Sequence, residues 1–212
     1  MPELPIRDHK HYAGIDPGFK GGICLMDAGG ERLKFWPMPV RGTAGKRQEI
    51  DLDGLNGAFK HLRLMPDTAV GIEWPSTRPG EGAERSERFG RGKGYLEAFA
   101  YLKGLDYYLI VPSLWKGRLG LPGKSDPEAV KAAAGVFDLY YPRYAGDVRG
   151  PRGGIKDGLV EAALIAHFLR TRTFSGMRAT VERFGKGSDE ATMMLFGCGP
   201  KRKRPKNSGG II

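Results

Sequence analysis

Residues 12–26 read Tyr12-Ala-Gly-Ile-Asp-Pro-Gly-Phe-Lys-Gly-Gly-Ile-Cys-Leu-Met26. The apolar run from Tyr12 predicts a short buried strand that ends on a carboxylate, Asp16. Pro17 to Gly22 has the glycine and proline density of a tight turn, and Ile23 to Met26 is again strand-like. A further turn at Ala28-Gly-Gly30 leads into Arg32-Leu-Lys-Phe-Trp36, where polar and apolar residues alternate as in a half-buried strand. Turns this short predict an antiparallel meander of three strands.

Beyond the meander, strands alternate with helices. Leu52, Leu55, Phe59, Leu62 and Met65 recur at helical spacing from Asp51 to Met65, and Pro66 ends that helix. Thr68 to Glu73 reads as a buried strand ending on a second carboxylate. Ser76 to Gly94, rich in Gly, Arg and Glu, reads as a long loop before a helix from Tyr95 to Leu102. Tyr107 to Val111 is the next strand and Ser113 to Gly123 a basic connection. Asp126-Pro127 is a cap-and-proline start signal for a helix to about Phe137. A Gly/Arg/Pro loop over 141–155 precedes Lys156 to Arg170, read as the most amphipathic helix of the chain. The order βββαβαβαα is an α/β pattern without internal repeats. It divides into a polar lead (1–10), one domain (11–184) and a basic tail (185–212) carrying Lys201-Arg-Lys-Arg-Pro-Lys206.

The 212 residues carry 34 Lys and Arg against 24 Asp and Glu, a net charge of +10 that suits a polyanionic partner, nucleic acid first. Cys24 and Cys198 form no C-x-x-C pair, and His9, His11, His61 and His167 make no zinc spacing with them, so nothing supports a zinc module or a disulfide scaffold. No apolar run approaches the roughly 20 residues of a membrane helix, and the opening lacks the apolar core of a signal peptide. The expectation is a soluble intracellular protein without a membrane partner.

Against that basic background four carboxylates stand out. Asp16 and Glu73 end strands, where the side chains of α/β sheets face a ligand crevice. Asp157 and Glu161 lie four apart and share one helix face. Carboxylates brought that close repel and raise one another's pKa unless a cation separates them. Oxygen donors alone favour Mg²⁺ over zinc, and a pair of such ions suits phosphodiester cleavage. Each acid taken singly also has an ordinary role as a turn cap, an ion-pair partner or an acid at a helix N-terminus.

The segments Tyr12 to Gly18, Val70-Gly-Ile-Glu73, Gly90-Arg-Gly-Lys-Gly94, Val111-Pro-Ser-Leu-Trp-Lys116 and Lys156 to Ala166 stand in the order seen in RuvC-type Holliday junction resolvases, which the chain resembles over about residues 11–170. The resemblance implies an RNase H-like fold with a mixed central sheet. It also implies a homodimer that places paired symmetric nicks across a four-way DNA junction with Mg²⁺ or Mn²⁺, two ions per site and no nucleotide cofactor. Asp16, Glu73, Asp157 and Glu161 would form the metal-binding catalytic tetrad. The last pair departs from the commonest bacterial pattern of two aspartates three apart and looks more like phage-type or other divergent members. Lys116 and Lys124 would contact the scissile phosphate region, with Lys116 in a catalytic role. Arg118, Arg91 and Lys93 would face DNA. Trp74 and Phe89 are candidates for stacking on unpaired bases, although strand alternation turns Trp74 away from Glu73 and toward the core.

Three alternatives stay open: a broader branched-DNA or flap nuclease, a non-catalytic module binding structured nucleic acid, and an actin-like ATPase. The last needs two related lobes and a second phosphate loop, and 212 residues without a repeat argue against it. A recombination or repair enzyme of this kind would work in the cytoplasm, at the nucleoid.

Overall fold

The computed structural model describes residues 9–42, 48–75, 82–123 and 126–171. Lys124, the tail over 185–212 and most of the polar lead lie outside the described residues. The meander forms as β1 (His11–Asp16), β2 (Gly22–Asp27) and β3 (Leu33–Pro37). After it come a two-residue pair, β4 (Val40–Arg41) and β5 (Glu49–Ile50), then α1 (Leu52–Leu64), β6 (Thr68–Glu73), α2 (Ala83–Leu102) and β7 (Asp106–Ile110). Helices α3 (Pro112–Arg118), α4 (Pro127–Tyr140) and α5 (Asp157–Thr171), with a 3-10 turn at Pro142–Tyr144 between the last two, complete the described chain.

The main sheet has the order β3-β2-β1-β6-β7. Strands β1, β2 and β3 are antiparallel neighbours, whereas β6 and β7 run parallel to β1. This mixed five-stranded α/β sheet has the RNase H-like arrangement that the resemblance implied. Asp126 caps α4 by accepting from the Ala129 amide, as its sequence signal predicted, and Asp51 caps α1 by accepting from the Asp53 amide.

Side-chain parity sorts the two faces of the sheet. Ala13, Ile15, Val70 and Ile72 pack with Leu55, Phe59 and Leu62 of α1 and Leu96 of α2. Tyr12 and Ala69 face the other way, in one cluster with α5 and with Phe137 of α4. Two residues beyond them, Gly14 and Gly71 are register partners on β1 and β6 and share that second face. A Cβ on Gly14 would lie 2.0 Å from the Ala162 carbonyl oxygen and 2.5 Å from the Ala166 nitrogen. One on Gly158 would lie 2.3 Å from both the Gly21 Cα and the Lys20 oxygen. Helix α5 therefore rests backbone against backbone on β1 and on the turn after it, a closeness only glycine permits.

Three local expectations need correction. Residues 83–94, read as loop, are the first twelve residues of α2. Gly90, Gly92 and Gly94 each cost the helix about 1 kcal/mol relative to Ala. That cost is offset by burial of Leu96 and Ala100 against the sheet and by a Glu87–Arg91 pair one turn apart at 3.1 Å. The basic connection after β7 contains α3, which starts on Pro112 and buries Trp115 completely. Helix α5 is not amphipathic: every residue from Gly158 to Leu169 except Glu161 is buried. An all-round apolar helix is a central one, and Glu161 is its one interruption.

Candidate metal centre

The close seating of α5 decides where the acids go. Asp16 follows Gly14 by two residues and Glu73 follows Gly71 by two, so both carboxylates leave their strand ends on the α5 face. Glu161 meets them there. Asp16, Glu73 and Glu161 each offer an oxygen, and these atoms all lie within 4.8 Å of one another. The Gly18 amide donates to Asp16 Oδ1 at 3.1 Å, which fixes that carboxylate at the turn. Asp157, expected as an equal member, lies one turn before Glu161 and outside this triad. Its Oδ1 is buried without a hydrogen-bond partner.

Burial, reinforced by the neighbouring carboxylates, pushes Asp16 up from 3.8 to about 7 and Glu73 up from 4.5 to about 8. Burial also raises Glu161 and Asp157, with the Lys116 ammonium opposing it at both. Three desolvated carboxylates and an orphaned fourth oxygen are an unfavourable arrangement for a metal-free core. They are a favourable one for a hard divalent cation, which takes oxygen donors and supplies the missing charge. The residues present thus fit Mg²⁺ or Mn²⁺: Asp16, Glu73 and Glu161 would hold it, with Asp157 beside them. No histidine or thiol belongs to the cluster.

Consecutive residues of α3 hold two of these acids. Trp115, fully buried, donates its indole N–H to Glu73 Oε1 at 3.0 Å. The Lys116 ammonium donates to Glu161 Oε1 at 2.5 Å, with both side chains largely shielded from solvent. Burial pulls the Lys116 ammonium down, but the hydrogen bond and the charges of Glu161, Glu73 and Asp157 outweigh it and leave its pKa above the ordinary lysine value. Trp115 stands in the sequence only as a member of the Val111 to Lys116 segment, with no role of its own. The signal available was its place beside Lys116 after a strand end, but its partner, 42 residues away, belongs to the tertiary fold.

Other expected site residues go elsewhere. Lys93, expected to face DNA, is only 8% exposed. Its ammonium lies 4.4 Å from the Trp74 ring centre and 5.2 Å from that of Phe89, and donates to the Pro75 carbonyl at 3.0 Å. Desolvation lowers its pKa. Position 93 thus ties α2 to the chain just after Glu73, and Trp74 and Phe89 sandwich a lysine, half-buried themselves. Arg91 is exposed and paired with Glu87, and Arg118 is exposed on the last turn of α3.

An α/β domain with a mixed β3-β2-β1-β6-β7 sheet and a carboxylate centre at the ends of β1 and β6 is the class this fold and site define. Among solved structures the chain is similar to Thermus thermophilus RuvC in complex with Holliday junction substrate. That match has 17% identity and a TM-score of 0.48, and covers 80% of this chain and 96% of that one. A second T. thermophilus RuvC structure is 22% identical with a TM-score of 0.44, over 74% and 93% of the two chains. The yeast mitochondrial Holliday junction resolvase Ydc2 is 18% identical with a TM-score of 0.49, over 79% and 81%. No protein-family model matches the sequence, and no curated protein does. Among the described residues no helix is long and apolar enough to cross a membrane.

Proposed function

We propose that the chain is a divalent-metal-dependent, structure-selective DNA endonuclease of the RuvC type. It resolves four-way junctions by paired symmetric nicks and acts as a homodimer at the nucleoid. The observation that carries this reading is the convergence of Asp16, Glu73 and Glu161 within 4.8 Å, with Lys116 bonded to one of them. A net charge of +10 and the ordered motifs that resemble RuvC-type resolvases support DNA as the polyanion.

A pair of divalent ions, when bound, supplies Lewis-acid activation of water and stabilisation of the leaving oxygen. The chain's own groups do the rest. Asp16 and Glu73 are presented by strand ends and Glu161 by a helix seated backbone against backbone on β1, so their geometry is set before substrate arrives. Partial burial limits solvent at the triad and strengthens the interactions inside it. Lys116 stands at the edge of the site, where its ammonium offsets carboxylate charge and orients an incoming phosphate.

The test is denaturing-gel cleavage of an immobile four-way junction, with linear duplex and flap controls, with and without Mg²⁺. Wild type is expected to place symmetric nicks in the junction that need the metal. Asp16→Asn and Asp157→Asn are expected to bind junction DNA without cutting. Equal cutting of flaps shifts the reading to a broader branched-DNA nuclease, and tight binding without any cutting shifts it to a non-catalytic module. Sedimentation of the junction complex tests the dimer.

A further inference from the structure

Beside the carboxylate centre, on the opposite face of the sheet from α5, lies a cleft of about 130 Å³. It is walled by the turn after β1, the β4–β5 pair and α2. Its charged lining is Arg41, Arg88 and Arg91 against a single carboxylate, Glu49, and two half-buried aromatic rings, Phe19 and Tyr95, complete it. Neither the metal centre nor the motif resemblance uses these residues together.

The volume decides the size of ligand. Sites for whole cofactors or drug-sized molecules start at roughly 300 Å³, so this cleft encloses one ring and leaves an attached phosphate at its rim, where Arg41 and Arg91 are exposed. Guanidinium groups bind phosphate through a planar fork of donors, and aromatic rings stack on bases without regard to sequence. Arg41 donates to Asp51 at 3.1 Å and has Asp53 at 4.0 Å, and Arg91 donates to Glu87 at 3.1 Å. Those pairs are solvent-exposed, hence weak, and occupy few of the five N–H donors of each guanidinium. Location supplies the remaining argument. Phe19 follows Asp16 by three residues, which limits their Cα separation to about 11 Å. The Gly18 amide donates to Asp16 Oδ1 at 3.1 Å, so the backbone one residue before Phe19 lies against that carboxylate. At about 3.4 Å of helix rise per nucleotide, the cleft lies within about three nucleotides of a bond attacked at the triad.

We propose that this cleft is a subsite for one unpaired nucleotide of the bound DNA strand, its base against Phe19 and Tyr95 and its phosphate against Arg91 and Arg41. The inference rests on the nuclease reading and deepens it. A duplex keeps its bases stacked and cannot fill the cleft, whereas a branch point offers a base that is already free. The subsite therefore favours branched over linear DNA without reading sequence.

Fluorescence anisotropy in EDTA, so that nothing is cut, tests the proposal with the full chain, Phe19→Ala and Arg91→Ala. The probes are an immobile four-way junction, a duplex with a four-thymidine gap, and a linear duplex. Both variants are expected to bind the junction and the gapped duplex about tenfold more weakly. On linear duplex the loss should be under twofold, with Mn²⁺ affinity at the wild-type value in both variants and the urea midpoint at the wild-type value in Arg91→Ala; Phe19 packs on the core, so its truncation lowers the midpoint. Unchanged affinity on every probe overturns the subsite and leaves the nuclease reading intact. An equal loss on all three makes the cleft a general phosphate contact and overturns its preference for an unpaired base. No binding of any probe by wild type overturns the subsite and the nuclease reading together. A change in sedimentation without a change in DNA affinity assigns the cleft to an interface between copies and overturns the proposal.

Discussion

Replacing Gly14 with Ala adds one methyl group at the closest approach between the sheet and α5. The new Cβ would lie 2.0 Å from the Ala162 oxygen, where ordinary contact begins at 3.4 Å. Both obstructing atoms, the Ala162 oxygen and the Ala166 nitrogen, are backbone, so no rotamer change relieves the clash. Helix α5 must retreat by about 1.4 Å, or β1 must bow by as much, in an interior packed to crystal density. Overpacking of this kind costs roughly 1–3 kcal/mol. With a urea slope of about 2 kcal/mol per molar, the unfolding midpoint should fall by about 0.5–1.5 M. The same retreat carries Glu161 away from Asp16 and Glu73. Magnesium-sized cations hold oxygens at about 2.1 Å, so a displacement near 1 Å takes one ligand out of reach. Mn²⁺ affinity measured by titration calorimetry should fall at least tenfold. Gly57→Ala is the control, because its Cβ meets nothing within 4 Å and the substitution should stabilise α1 by up to about 1 kcal/mol. A Gly14→Ala protein with wild-type midpoint and wild-type Mn²⁺ affinity would refute the argument that glycine seats the helix.

Two further predictions concern the carboxylates themselves. Trp115→Phe keeps most of the buried ring but leaves Glu73 Oε1 without its donor, which should cost the metal-free protein about 1–3 kcal/mol in urea unfolding. An unchanged midpoint would show that the indole N–H is dispensable. Asp16 and Glu73 are pushed up to about 7 and about 8, above their unfolded values of 3.8 and 4.5. The folded state then binds their protons more tightly. Their contribution to stability is fully present below about pH 4 and is lost as the pH rises toward 8. In EDTA, the thermal midpoint of wild type relative to Asp16→Asn should fall across that window, and Mg²⁺ should restore it at pH 8. A difference between the two proteins that stays flat with pH would count against the burial of Asp16.

How far a sequence reveals its site depends on the range of the interaction that builds it. The meander, the capped helices α1 and α4 and the strand ends at Asp16 and Glu73 follow from local rules of turn glycines, apolar runs and cap residues, and all were legible. Helix α2 was obscured because Gly90, Gly92 and Gly94 signal loop over a few residues, while the burial of Leu96 and Ala100 that holds the helix is set by the sheet. Helix α5 looked amphipathic from its charged ends, yet its whole circumference is covered, because α4 and the sheet enclose it. Lys93 illustrates the same limit: its charge marked it as surface, and only the rings of Trp74 and Phe89 and the carbonyl of Pro75, brought together where α2 lies beside the end of β6, make an interior place for an ammonium group.

The sequence by itself determined which residues carry chemistry, since carboxylates at strand ends and on one helix face follow from periodicities of two and 3.6 residues. It also carried the condition for their meeting, the paired glycines two residues before Asp16 and Glu73. Tertiary structure alone decided which acids share the centre. The contact of Gly14 with α5 sets the height and rotation of that helix, and these put Glu161 into the triad while leaving Asp157 beside it. Trp115 and Lys116 found their carboxylates for the same reason: helix α3 is placed by the core it covers, and no local pattern encodes a partner more than 40 residues away.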